Sequence, residues 1–198
     1  MEKQARKEIK RIVNYFSALC DPGRYEPEAY RTCVEAYRKG DTQRIDWIRT
    51  MGADERYIIR NIGHHLAGKR FGFDLTQIGK YGWLETAEFL DVEEIAFKVG
   101  DEKYNYNNIK LGRGPNGKWT FAMAMHYSLG GCSYGLTVFN RLCDSQQSAT
   151  NQAIAELRKH IVRQLGRNDN SRSDVTYLNK VLGHMKTYEG GLAQLTLF

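Results

Sequence analysis

The period of the hydrophobic pattern changes near residue 93, and that change most constrains the fold. Before it, apolar residues return at three- and four-residue steps. In residues 1–20, Ala5, Ile9, Ile12, Val13, Phe16, Leu19 and Cys20 form one stripe, as an amphipathic helix requires. After it, residues 118–129 alternate: Trp119, Phe121, Met123, Met125 and Tyr127 share one face, and Thr120, Ala122, Ala124, His126 and Ser128 the other. A chain of 198 residues with 41% hydrophobic and 26% charged residues is long and apolar enough to bury a real core. The expectation is an α+β protein with a helical N-terminal half, a three-stranded antiparallel sheet packed on one long helix, and a flexible C-terminal tail.

Local signals subdivide the helical half, residues 1–92. Asp21-Pro22-Gly23 stops the first helix. Pro27 suits the first turn of a helix over 26–39, and Gly40 suits its end. Asp41 or Thr42 caps a third helix reaching Ile48 or Met51, and Asp54 caps a fourth that ends near Gly68. A turn follows at 69–73, and 75–81 reads as a short helix. In the sheet-plus-helix region, 93–166, strand-like composition covers 94–99, 104–111, 118–129 and 134–140. Gly112-Arg113-Gly114-Pro115-Asn116-Gly117 marks a hairpin turn, and a helix runs over 145–165. Residues 167–189 read as a polar hinge with a last short helix over 174–188, and 190–198 as a tail behind a Gly190-Gly191 hinge.

The net charge of +6 favours an anionic partner, DNA or RNA. Candidate nucleic-acid contacts are Arg113, Lys118, Arg141, Arg158, Lys159 and Arg163, with Trp119 or Tyr127 for stacking, and Lys3, Lys7 and Lys10 on the first helix beside Arg6 and Arg11. For the first-helix set, a merely solvated charged face is the favoured reading. The charged start (Glu2, Lys3, Arg6, Lys7) argues against a secretory signal, and no apolar run approaches membrane-spanning length. Cys20, Cys33, Cys132 and Cys143 are too widely spaced for a zinc knuckle and read as reduced thiols of a cytoplasmic protein that does not engage a membrane.

Other constellations are weaker. Gly112 to Lys118 mimics a phosphate-binding loop, but Trp119 stands where Ser or Thr must hold magnesium, so a hairpin explains the segment. His64 and His65 project about a third of a turn apart and do not readily share a metal. Asp91, Glu93 and Glu94 form an acidic cluster of the kind that holds magnesium in a small nuclease. His126 and Cys132 are a candidate Cys/His pair without an orienting third group. No catalytic residue is assigned, and no cofactor or metal is expected.

The last five residues, Gln194-Leu195-Thr196-Leu197-Phe198, resemble the bacterial sliding-clamp-binding pentapeptide Gln-Leu-x-Leu-Phe. The resemblance implies that Leu195, Leu197 and Phe198 enter an apolar clamp groove while Gln194 hydrogen-bonds at its edge. An amphipathic last strand paired with the body is the alternative. Residues 104–165 resemble the double-stranded-RNA-binding fold or the three-stranded arm-binding domain of tyrosine integrases, on Gly114-Pro115-Asn116-Gly117-Lys118-Trp119-Thr120-Phe121 and the Ala-rich helix at 149–157. The uncharged Ser145-Gln146-Gln147-Ser148 departs from the lysine cluster of RNA binders. Together these imply a phage, plasmid or other mobile-element accessory of DNA replication, repair or modification, recruited to the clamp and contacting nucleic acid. The alternatives are an anti-defence protein that binds and inhibits a host enzyme, and the small nuclease.

Overall fold

The computed structural model describes residues 2–100, 106–127, 130–168 and 170–195. The chain forms two compact units, Met1–Glu88 and Phe89–Phe198.

The first unit holds helices α1 (Glu2–Ser17), α2 (Glu26–Lys39), α3 (Thr42–Thr50) and α4 (Glu55–Lys69). Their ends follow local chemistry. Pro27 lies in the first turn of α2, and the N–H of Gly40 closes that helix onto Ala36 and Tyr37 carbonyls. The Asp41 carboxylate accepts from Arg44 N–H at 3.0 Å, and Asp54 accepts from the N–H groups of Arg56 and Tyr57 at 3.0 and 3.1 Å. Ile12 of α1, Ala29, Cys33 and Ala36 of α2, Ile45 and Ile48 of α3, and Ile59 and Ile62 of α4 meet in one core with Met51 and Leu84. The expected helix over 75–81 is absent. Gly79 N–H donates to Trp83 O (2.8 Å), Glu85 N–H to Gln77 O (3.0 Å), and Ile78 pairs with Leu84, so 77–85 is a tight hairpin.

The second unit is α+β, but its sheet has four strands, not three, in the order β1-β2-β3-β4. They are β1 (Leu90–Ala96), β2 (Asn107–Arg113), β3 (Trp119–Tyr127) and β4 (Gly130–Tyr134), all antiparallel to their neighbours. The expected fourth run at 134–140 begins where β4 ends. Gly130 and Gly131 lie inside the pairing, opposite Tyr127 and His126. The segment after β4 leaves the ladder, and Asn140 anchors it by donating to Phe121 O at 2.9 Å and Gly135 O at 2.8 Å. Cys143 then rejoins β3 through mutual backbone hydrogen bonds with Trp119.

The alternation in β3 puts Phe121, Met123 and Met125 on the covered face with Ile109 and Leu111 of β2. Helix α5 (Gln146–Leu165), capped by Ser145 Oγ at 3.1 Å from Ser148 N, covers them with Ala149, Ala153, Ile154, Leu157 and Ile161. Helix α6 (Arg172–Leu195) adds Leu178, Val181 and Met185. It continues through Gly190 and Gly191, where a hinge was expected: a helical glycine is costly, about 1 kcal/mol against alanine, but it does not remove a hydrogen-bond donor as proline does. Among the described residues no helix is long and apolar enough to cross a membrane.

Candidate nucleic-acid interface

Exposed Ala155, Lys159 and Arg163 and half-buried Gln152, Glu156 and His160 recur along α5 at steps of three and one that keep them on one face of the helix. With Arg141 they line a groove of about 480 Å³. Arg141 leans onto it from the loop before α5, its Nη1 donating to Gln152 Oε1 at 3.2 Å. The groove floor near β4 is fixed by two contacts. Tyr134 OH donates to Glu156 Oε1 at 3.0 Å, and Cys132 Sγ lies 3.7 Å from His160 Nδ1.

Electrostatics decide what this groove attracts. The carboxylate of Glu156 is engaged by Tyr134, whose phenol is pushed well above its ordinary pKa by burial and by that carboxylate. Arg141, Lys159 and Arg163 are exposed and make no ion pair with a carboxylate of the described residues. The groove is therefore net cationic and open. The Cys132 thiol is raised first by burial and then by the Glu156 charge, which keeps it protonated rather than a ready nucleophile.

The expected basic residues divide into three groups. Arg141, Lys159 and Arg163 come together in the groove. Arg113 pairs with Asp91 (2.6 Å), Lys118 with Asp144 (2.6 Å), and Arg158 with Glu189, so their charges are locally matched. Lys3, Lys7 and Lys10 are exposed along α1 in the other unit, whose Arg11 pairs instead with Glu55 at 2.6 Å. Trp119 and Tyr127 pack against the hydrophobic cluster under the sheet. Sequence reasoning missed Tyr134, Gln152, Glu156 and His160. The α5 period was visible, but only its apolar half was read.

Of the clamp-type motif, Gln194 and Leu195 end α6, while Thr196, Leu197 and Phe198 lie outside the described residues. Asp91, Glu93 and Glu94 do not converge. Asp91 meets Arg113, Glu93 accepts from Gln146 Nε2 at 2.5 Å, and Glu94 accepts from Asn108 Nδ2 at 2.5 Å and pairs with Lys110 at 3.3 Å. Among the described residues no three His, Cys, Asp or Glu side chains are placed to hold a metal ion.

The pairing of His126 with Cys132 is overturned. Cys132 stands opposite Met125, hence on the covered face, while His126 stands opposite Gly131 on the other face, where its ring stacks 4.2 Å from that of Tyr106. His65 is buried with Nδ1 at 2.8 Å from Leu75 O, and burial lowers the pKa of the neighbouring His64. The phosphate-loop mimic is a hairpin turn, closed by Gly114 N–H to Lys118 O at 2.7 Å. No protein-family model matches this chain, and neither does any curated protein or solved structure.

Proposed function

We propose that the protein is an accessory of DNA replication, repair or modification of the phage or mobile-element kind, brought to a bacterial sliding clamp by its C-terminal motif and holding nucleic acid in the α5 groove. The observation that carries the nucleic-acid half is the convergence of Arg141, Lys159 and Arg163 on one open groove, with no ion pair to a carboxylate of the described residues. Two cations one turn apart on a helix face, with a third reaching in from the loop before it, suit successive backbone phosphates, and such contacts bind without reading sequence. The recruitment half rests on Gln194, Leu195, Leu197 and Phe198. Gly190 and Gly191 precede them in the last turns of α6, where each glycine lowers helix stability by roughly 1 kcal/mol and makes unwinding onto a partner cheaper. Tethering at the clamp raises the local concentration of a weak nucleic-acid binder.

The test has two arms. A 20-base-pair duplex is titrated at several salt concentrations with the wild type and with K159Q/R163Q. Loss of two phosphate contacts lowers the log–log salt slope by about 1.8, since each contributes roughly 0.9. An unchanged slope removes the groove from the binding surface. Binding to a sliding clamp is then measured with and without the motif, and motif-independent or absent binding removes recruitment.

A further inference from the structure

The hairpin at 77–85 in the first unit carries the most exposed large hydrophobic side chain among the described residues, Tyr81, at 71% exposure. It sits beside Lys80 in the middle of a tight turn that Gly82 N–H closes onto Gly79 O at 2.9 Å. Gly82 has φ +81, and an added Cβ would lie 3.1 Å from the Tyr57 ring, so the turn requires glycine twice over.

This tip is rigidly supported. Asn61, 1% exposed, donates through Nδ2 to Gly82 O (2.9 Å) and Met51 O (2.7 Å), and its Oδ1 accepts from Leu84 N (3.1 Å). Trp83 packs on Tyr57 with ring centroids 4.4 Å apart. A fully buried, fully bonded amide thus fixes a turn whose own centre buries almost nothing. Two cations flank the aromatic residues: Lys80 Nζ lies 4.8 Å from the Tyr81 ring centroid, and Arg56 Cζ lies 5.8 Å from that of Trp83. Neither makes an ion pair with a carboxylate of the described residues.

We propose that this tip is a second nucleic-acid contact, in which Tyr81 stacks on an unpaired base while Lys80 and Arg56 face the adjoining phosphates. A ring 71% exposed, with a lysine ammonium beside it, fits a base whose π-face is free, as in a single strand, whereas paired bases are already stacked on their neighbours. The flanking positive charge selects a polyanion over an apolar protein surface. The contact is independent of the α5 groove.

The experiment is fluorescence anisotropy of a labelled 20-nucleotide oligothymidylate and of the 20-base-pair duplex, with wild type, Y81A, Y81F, R56Q/K80Q and K159Q/R163Q. Y81A is expected to weaken oligothymidylate binding about tenfold, the scale of one lost base stack, at an unchanged melting temperature. Y81F, which keeps the ring, stays within about twofold of wild type on the same stacking argument. R56Q/K80Q lowers the salt slope by up to about 1.4 on a single strand. The proposal is overturned if Y81A binds oligothymidylate like wild type, if Y81F loses as much as Y81A, or if wild type does not bind oligothymidylate. A Y81A-sensitive dimer seen by sedimentation without oligothymidylate binding also overturns it, in favour of a second copy of this chain. Loss of duplex binding in K159Q/R163Q alone leaves the groove standing without the tip.

Discussion

At the scale of single residues, buried polar groups hold the first unit together. Asn61 joins the α3–α4 turn to the hairpin through three hydrogen bonds, linking Met51, Gly82 and Leu84. Truncation leaves buried backbone groups without partners, so Asn61→Ala is expected to cost about 3 kcal/mol, read as a lower urea midpoint at constant m-value. Glu8 plays a similar part on α1, accepting from Gln4 (2.9 Å), Tyr37 (3.0 Å) and Arg49 (2.9 Å). Burial raises its carboxyl pKa, but the hydrogen bonds from Arg49, Gln4 and Tyr37 and the Arg49 charge outweigh burial and leave it lowered. A lowered folded-state pKa stabilises the protein at pH values above the ordinary glutamate range, and that stabilisation disappears as pH falls through the folded value. The melting-temperature gap between wild type and Glu8→Gln is therefore expected to be widest near neutrality and to close below pH about 4, measured by thermal denaturation across pH. Cys33, fully buried with its thiol pushed up to about 12, is expected to resist alkylation in the native state, while exposed Cys20 reacts. Mass spectrometry after brief labelling checks the order.

At the scale of elements, the α3–α4 connection is a tight joint. A Cβ on Gly52 would stand 2.4 Å from Tyr57 Cβ and 2.9 Å from the Ile58 backbone nitrogen. Gly52→Ala must therefore separate α3 from α4, at an expected cost of about 2 kcal/mol in unfolding free energy. The elements legible in the sequence were those whose ends are encoded locally. Asp41, Asp54 and Ser145 cap the helices they were expected to cap or adjoin, and the hairpin at 112–118 closes where its Asn-Gly stands. What was not legible depends on distant partners. The 77–85 hairpin has little alternation of its own and owes its shape to Asn61, a residue some twenty positions away. Strand β4 begins with two glycines, the composition of a turn, and takes strand form only by pairing with β3. The groove cations Arg141, Lys159 and Arg163 were named from charge, but their separation from Arg113, Lys118 and Arg158 depends on where Asp91, Asp144 and Glu189 fall in the fold.

At the scale of the whole molecule, cationic surfaces occur in both units: the lysines of α1 and the hairpin tip in one, the α5 groove in the other. Helix α6 packs into the core of its unit through Tyr177, Leu178, Val181 and Met185. On the proposed recruitment, replacing Leu197 and Phe198 by alanine is expected to abolish clamp binding, measured by surface plasmon resonance, while the melting temperature stays unchanged. A drop of several degrees would make those residues part of the fold instead. The open sheet of the second unit also has two margins. At β1 the register with β2 slips between Leu90 and Glu93, Asp91 takes φ 47, and Asp91, Glu93 and Glu94 are exposed. At β4 the strand is five residues long and contains two glycines. A kinked, acidic rim on one side and a short, glycine-containing rim on the other are both poor templates for an incoming strand, so the sheet resists growing into fibrils when many copies crowd together.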